Sequence, residues 1–169
     1  ADPWAKGAGV NGRRSMVVDL ARTDPAGWEH DEHPTTPLGE TMVAEMHVAS
    51  FSANPHGGFP LEHCGKYLAF TDLGTTVDGK GKFPTGIDYF NQLGVTAIQL
   101  LPFYDYGSVD ENDPRQYNWG YDPLNYNVPE GSYSTDPFDG TVRITECKQM
   151  IQSLHAQGFK VIMDVVYNH

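Results

Sequence analysis

The run Lys160-Val161-Ile162-Met163-Asp164-Val165-Val166 constrains the fold most. It is β-rich and nearly continuous in apolar residues, the pattern of a parallel strand covered on both faces. A carboxylate inside such a strand is costly unless it is paired or hydrogen-bonded, so Asp164 needs a partner. Asn168 and His169 then fall just past the strand's carboxyl end. Barrels and open α/β sheets gather their sites there.

The chain from Thr41 onward supplies the rest of a parallel sheet. Met42–Val48 reads as a first strand, with Glu45 and His47 on one face because side chains repeat every second residue. Polar groups in a buried strand are usually bonded to each other or to neighbours, so structural duty is the expectation for both. A helix follows at Thr85–Leu93: Thr85 with Asp88 resembles a capping pair, Ile87, Phe90 and Leu93 give an apolar side, and Gly94 fits the stop. Val95–Pro102 is the second strand. In the second helix Cys147, Met150, Ile151 and Leu154 recur at i, i+3, i+4 and i+7, and Gly158 ends it. Strands alternating with helices predict right-handed βαβ units and a parallel sheet.

Residues 1 to about 40 differ in character. Ser15–Leu20 is one short strand-like run, followed by Asp24-Pro25, His33-Pro34 and Thr35-Thr36-Pro37 among acidic residues. That stretch reads as a linker, and residues 1–20 as the tail of an upstream β domain. A net charge of -11 disfavours nucleic acid and anionic membrane surfaces. No apolar stretch approaches membrane-span length, so no membrane span is expected. Neutral, hydroxyl-rich ligands remain compatible with such a surface. Cys64 and Cys147 form no CxxC motif, and Cys147 reads as a small buried hydrophobe.

The segment from Tyr104 to about Gly140 is far longer than the usual βα connection of about 2–6 residues. Excess length at the carboxyl end of a strand is usually functional. It carries Tyr104, Tyr106, Tyr117, Trp119, Tyr121, Tyr126, Tyr133 and Phe138, interleaved with Asp105, Asp110, Asp113, Asp122 and asparagines. Flat rings beside hydrogen-bonding carboxylates and amides suit a sugar, which offers a C–H face and a rim of hydroxyls. A loop folded around its own aromatics would have the same composition, and the two readings stand side by side.

Tyr117-Asn118-Trp119-Gly120-Tyr121-Asp122-Pro123 resembles the signature heptapeptide of type I pullulanases, debranching members of the α-amylase superfamily (glycoside hydrolase family 13). Asp164–His169 resembles that superfamily's motif at the third barrel strand. Gly94–Pro102 is similar to its second-strand pattern, and Glu45–Val48 to its first. Asp2–Lys6 with Gly9–Gly12 resembles the end of the β-sandwich that precedes the barrel in pullulanases. The likeness covers essentially the whole chain.

This resemblance implies an α/β fold: the N-terminal part of a (β/α)8 TIM barrel, about three of eight strands, over residues 41–169. The end of a β-sandwich and a linker would occupy residues 1–40. It implies that Tyr121 stacks on the sugar just before the scissile bond and that His169 bonds hydroxyls of the same sugar. Asp164 would be a buried carboxylate orienting neighbours through an arginine elsewhere. Trp119 and Asp122 would belong to the substrate loop, although Trp119 could pack the loop and Asp122 could form a turn. Asn168 would brace the loop; in related amylases this position can help bind calcium, which pullulanases need not share, so no cofactor is required, calcium stays open and no metal ligand is assigned. The implied chemistry is retaining hydrolysis of α-1,6-glucosidic links in pullulan, amylopectin or limit dextrin, using two carboxyl groups about 5–5.5 Å apart. In the superfamily those groups follow the fourth and fifth strands and a third Asp follows the seventh. All three are expected beyond His169, so this piece alone is expected to be inactive. A branching enzyme or isoamylase-like debrancher shares the terminal motif but is not expected to carry the full heptapeptide. A non-catalytic carbohydrate-binding remnant fits the missing carboxylates. An unrelated doubly wound protein lacks support, because no glycine-rich turn follows any predicted strand.

Overall fold

A computed structural model of the chain describes residues 2–168, so His169 and the role expected of it lie outside the described residues. The first strands, β1 (Gly7–Ala8) and β2 (Ser15–Met16), pair antiparallel. After short 3-10 turns come β3 (Val43–Met46) and α1 (Val48–Ser52). Further turns, including Tyr67–Thr71, lead to α2 (Gly86–Leu93), β4 (Ala97–Leu100), β5 (Tyr104–Tyr106) and β6 (Pro123–Pro129). The chain closes with α3 (Gly140–Ala156) and β7 (Lys160–Met163).

The expected parallel sheet is present, in the order β3-β4-β7, with Val43 beside Ala97 and Ala97 beside Lys160. Both helices read from the sequence form. Gly94, at φ 75°, closes α2 in the left-handed region that a Cβ disfavours. Gly158, at φ 86°, does the same after α3. The capping pair expected at Thr85 does not form. The Thr85 hydroxyl donates instead to the Gly57 carbonyl at 2.6 Å, and Asp88 accepts from the Gly74 amide at 2.5 Å. Longer-range bonds have displaced the local one.

The first strand stops at Met46, two residues short of expectation. His47 turns out of the strand and caps α1, accepting from the Ser50 amide. Glu45 stays in the strand and accepts from Gln99 at 3.0 Å. The core lies where α3 and the Tyr67–Thr71 turn meet one face of the sheet. Ile87, Ile98, Leu100, Met150 and Leu154 are fully buried there, each contributing about 1.5–3 kcal/mol by leaving water. Cys147 is buried beside them, as its periodicity predicted.

The terminal strand differs from its reading. Ile162 and Val165 are each 37% exposed and Asp164 is only half-buried. α3 packs on β7, Tyr121 and Tyr104 bond Asp164 and Val166 just beyond it, and β7 and β3 are the two edges of this sheet. The proline- and charge-rich stretch is not detached. Lys148 bonds Asp24 at 2.5 Å and Thr23 at 2.9 Å, Gln152 bonds the Ala26 carbonyl at 3.1 Å, and His155 bonds Asp31 at 2.7 Å, all from α3.

Candidate functional site

β4 and β7 end side by side, and the Asp164 amide extends their pairing by donating to the Leu100 carbonyl at 2.9 Å. The Asp164 carboxylate therefore stands at the carboxyl end of the sheet. Its partner is the Tyr121 hydroxyl, which donates to Oδ2. That bond, reinforced by burial and by the nearby negative charge, pushes the Tyr121 phenol up to about 12. The phenol thus stays a neutral donor at physiological pH, with its ring fixed at the sheet's mouth. The partner that Asp164 required is a tyrosine from the long loop.

The Tyr117–Pro123 loop owes its shape to Asn118 and Gly120. The Asn118 amide donates to the Gly107 carbonyl and to Asp122 Oδ1, both at 2.8 Å, while its oxygen accepts from the Gly120 amide at 2.9 Å. Gly120 sits at φ 89°, and an added Cβ would collide with the Pro102 carbonyl oxygen. Only glycine fits there. Asp122, half-buried, braces the loop through Oδ1, which accepts from Asn118. Trp119 does not pack the loop; it is 62% exposed. Asn168 is exposed. The structure therefore brings Tyr121 and Asp164 together, leaves Trp119 as an open ring nearby in sequence, and turns Asp122 inward.

The remainder of the long segment is not a plain loop. β5 and β6 form an antiparallel ribbon within it, broken by register shifts on both sides of Asp105. Under the ribbon lies a charge cluster that the sequence reading missed. Arg143, fully buried, bonds Glu111 at 2.8 and 3.0 Å and Asp105 at 3.3 Å. Asn125 donates to Asp105 at 2.6 Å. Glu130, also fully buried, accepts from the Tyr106 and Ser132 amides at 3.1 and 2.8 Å. Burial pushes Asp105 up to about 6, and burial together with the Glu111 charge pushes Glu130 up to about 8. Asp105 is thus a structural carboxylate and not a ligand for sugar. One signal could have exposed this: Arg143 shares the α3 face of Cys147, Met150 and Leu154, and a guanidinium on an apolar face demands a buried partner.

Oxygens of Asp105, Glu111 and Glu130 lie within 4.8 Å of one another, a spacing that could hold a cation. The Arg143 guanidinium already bonds two of the three, so the donor set is committed to an internal cation. That spacing also approaches a retaining carboxylate pair, but at 0–4% exposure the cluster is closed to any substrate.

A parallel sheet ends in a tyrosine–carboxylate pair at its carboxyl mouth, beside a loop with exposed rings, and so belongs to the α/β class that gathers its ligand sites at strand ends. The chain belongs to the alpha-amylase family: residues 76–169 match its catalytic domain. It is 41% identical to the pullulanase of Bacillus subtilis (strain 168) over 99% of its own length and 23% of that protein. It superposes on the crystal structure of pullulanase from Paenibacillus barengoltzii, in complex with maltohexaose and alpha-cyclodextrin, with a TM-score of 0.93 at 50% identity. That match covers 99% of this chain and 26% of the other. Pullulanase from Anoxybacillus sp. LM18-11, complexed with maltotriose, gives a TM-score of 0.88 at 42% identity, covering 100% of this chain and 24% of the other. The chain therefore spans about a quarter of each of these relatives. The likeness to pullulanases drawn from the heptapeptide holds along the whole chain.

Proposed function

We propose that the chain is the opening part of the catalytic domain of a debranching glycoside hydrolase that cuts α-1,6 links in pullulan, amylopectin or limit dextrin. β3, β4 and β7 are then the first three strands of a (β/α)8 barrel. Residues 1–40 are the end of a preceding β-sandwich with its linker. Tyr121 is the sugar platform, and Asp164 fixes its phenol. Trp119 offers a second ring, His169 a hydroxyl ligand and Asn168 a brace. No cofactor is required for this chemistry, and calcium has no assigned ligand. The resemblance to the superfamily, whose bond-breaking carboxylates follow the fourth and fifth barrel strands, puts those groups outside residues 1–169.

The observation that carries this reading is the Tyr121–Asp164 hydrogen bond at the sheet's carboxyl end. It holds a flat, uncharged ring where a parallel α/β sheet presents ligands. The complexes of two relatives with maltohexaose and with maltotriose support an α-glucan as the ligand.

The test uses the protein at full natural length. Tyr121→Ala is expected to lower kcat/KM on pullulan by roughly tenfold or more through loss of the stacking ring. Tyr121→Phe keeps the ring and loses only the Asp164 bond, so its loss should be smaller. Wild-type kinetics in Tyr121→Ala would remove Tyr121 from the site.

A further inference from the structure

His47 stands between the sheet and the loop, and its two ring nitrogens face different elements. Nδ1 lies 3.3 Å from the Ser50 amide, which can only donate, so Nδ1 accepts and the ring proton sits on Nε2. Nε2 then points at the Asn118 carbonyl, 2.8 Å away, immediately before Trp119 in the chain. The Tyr133 hydroxyl is 2.9 Å from the same nitrogen. The Tyr117 ring tilts over the imidazole at 4.6 Å between centroids, and Tyr133 meets it edge-on at 5.6 Å. His47 is 5% exposed. Burial holds its pKa below the usual histidine value, against the opposing pull of the Asn118 carbonyl. The ring is thus a fixed neutral tautomer bonded at both ends.

We infer that His47 is a positioning residue for the α-glucan site: through Nε2 it ties the Asn118 carbonyl to the end of β3, and so sets the height of Trp119 and Tyr121 over the sheet. The inference rests on the reading of the Tyr117–Pro123 loop as the sugar-binding loop. Three features favour this role over simple packing. The bond meets the backbone of the loop itself. It arrives at the residue whose side chain already organises Gly107, Gly120 and Asp122. It also comes from a strand end, the most rigid place from which a loop can be held. The Asn118 side chain fixes the loop's internal shape, and His47 fixes where that shape sits.

Two substitutions separate the cap from the tie, in the protein at full natural length. His47→Asn keeps an acceptor near the Nδ1 position for Ser50 but cannot reach Asn118. His47→Gln places an amide donor near the Nε2 position and can. In His47→Asn, amide hydrogen exchange across residues 118–122 is expected to accelerate about tenfold or more, as befits loss of a buried hydrogen bond. KM on pullulan should rise about tenfold while kcat changes by less than about twofold. His47→Gln should restore loop protection and KM together. Unchanged loop exchange and KM in His47→Asn overturns the inference, as does a folded His47→Gln no better than His47→Asn. Should His47→Asn not fold, His47→Gln decides alone: retained loop protection supports the tie, and lost protection overturns it. If the wild-type protein leaves pullulan uncut, the proposed function fails, while loop exchange still decides whether His47 holds the loop.

Discussion

Glu130 carries a proton in the folded chain at neutral pH, because its carboxyl, pushed up to about 8, shares a sealed compartment with Glu111 and Asp105. Unfolding returns it to a carboxylate value near 4.5. Between those values the folded state binds more protons than the unfolded one, so the contribution of Glu130 to stability is full below about pH 4.5 and is lost as pH rises toward about 8. Asp105, raised to about 6, adds a loss of the same sign over a lower and narrower window. Glu130→Gln replaces the protonated acid with a neutral near-isostere. It should flatten most of this dependence, at the cost of one of the two amide bonds that Glu130 accepts, as read by denaturant unfolding at about pH 5 and pH 8.5. At this scale some residues were legible and others were not. Tyr121 and Asp164 could be named because motif residues carry their chemistry locally. Arg143, Asp105 and Glu130 take their meaning from one another across long stretches of chain. His47 was read as a bonded strand residue; it is bonded, but to a loop distant in the chain, and it lies outside the strand.

Among the elements, the best-read ones are those whose stabilisation is local or repeats with a clean period. α2 and α3 end on glycines that sit in the left-handed region, and the three parallel strands run where mainly apolar stretches placed them. The β5–β6 ribbon was invisible for a physical reason. Its strands are rich in Pro, Asn and Tyr, its register slips twice, and its support is a buried guanidinium and not an alternating apolar face. Register in such a ribbon comes from long-range contacts instead of pattern. The Tyr117–Pro123 loop hangs on a single backbone permission at Gly120. Gly120→Ala imposes both a disfavoured φ and a collision with Pro102, so a loss of about 1–3 kcal/mol in unfolding free energy is expected. Weaker maltotriose binding should accompany it, measured by calorimetry beside denaturant unfolding. A variant as stable and as tight-binding as the wild type would mean that the loop does not depend on this backbone geometry.

For the molecule as a whole, among the described residues the sheet leaves β3 and β7 each with an unpaired edge, and Val43, Ile162 and Met163 stay partly exposed. Unpaired edges with apolar side chains are templates for association. The 169-residue polypeptide produced alone is therefore expected to elute from a sizing column as oligomer or aggregate and to release no linear maltosaccharide from pullulan. A stable, active monomer would overturn both expectations. Family membership and parallel order were readable in the sequence because motifs in the right order carry them. The exposed edges follow from geometry, which a linear pattern does not display. The ties between α3 and the early chain bear on synthesis. Asp31 waits for His155, 124 residues later, and Leu20 for Lys148, 128 residues later. As the chain leaves the ribosome, residues 11–31 are made first yet find their partners only when Glu111 and then α3 have emerged. Until then the early segment is open to proteases and chaperones, and slowing translation between residues 31 and 143 should lengthen that exposure in proportion.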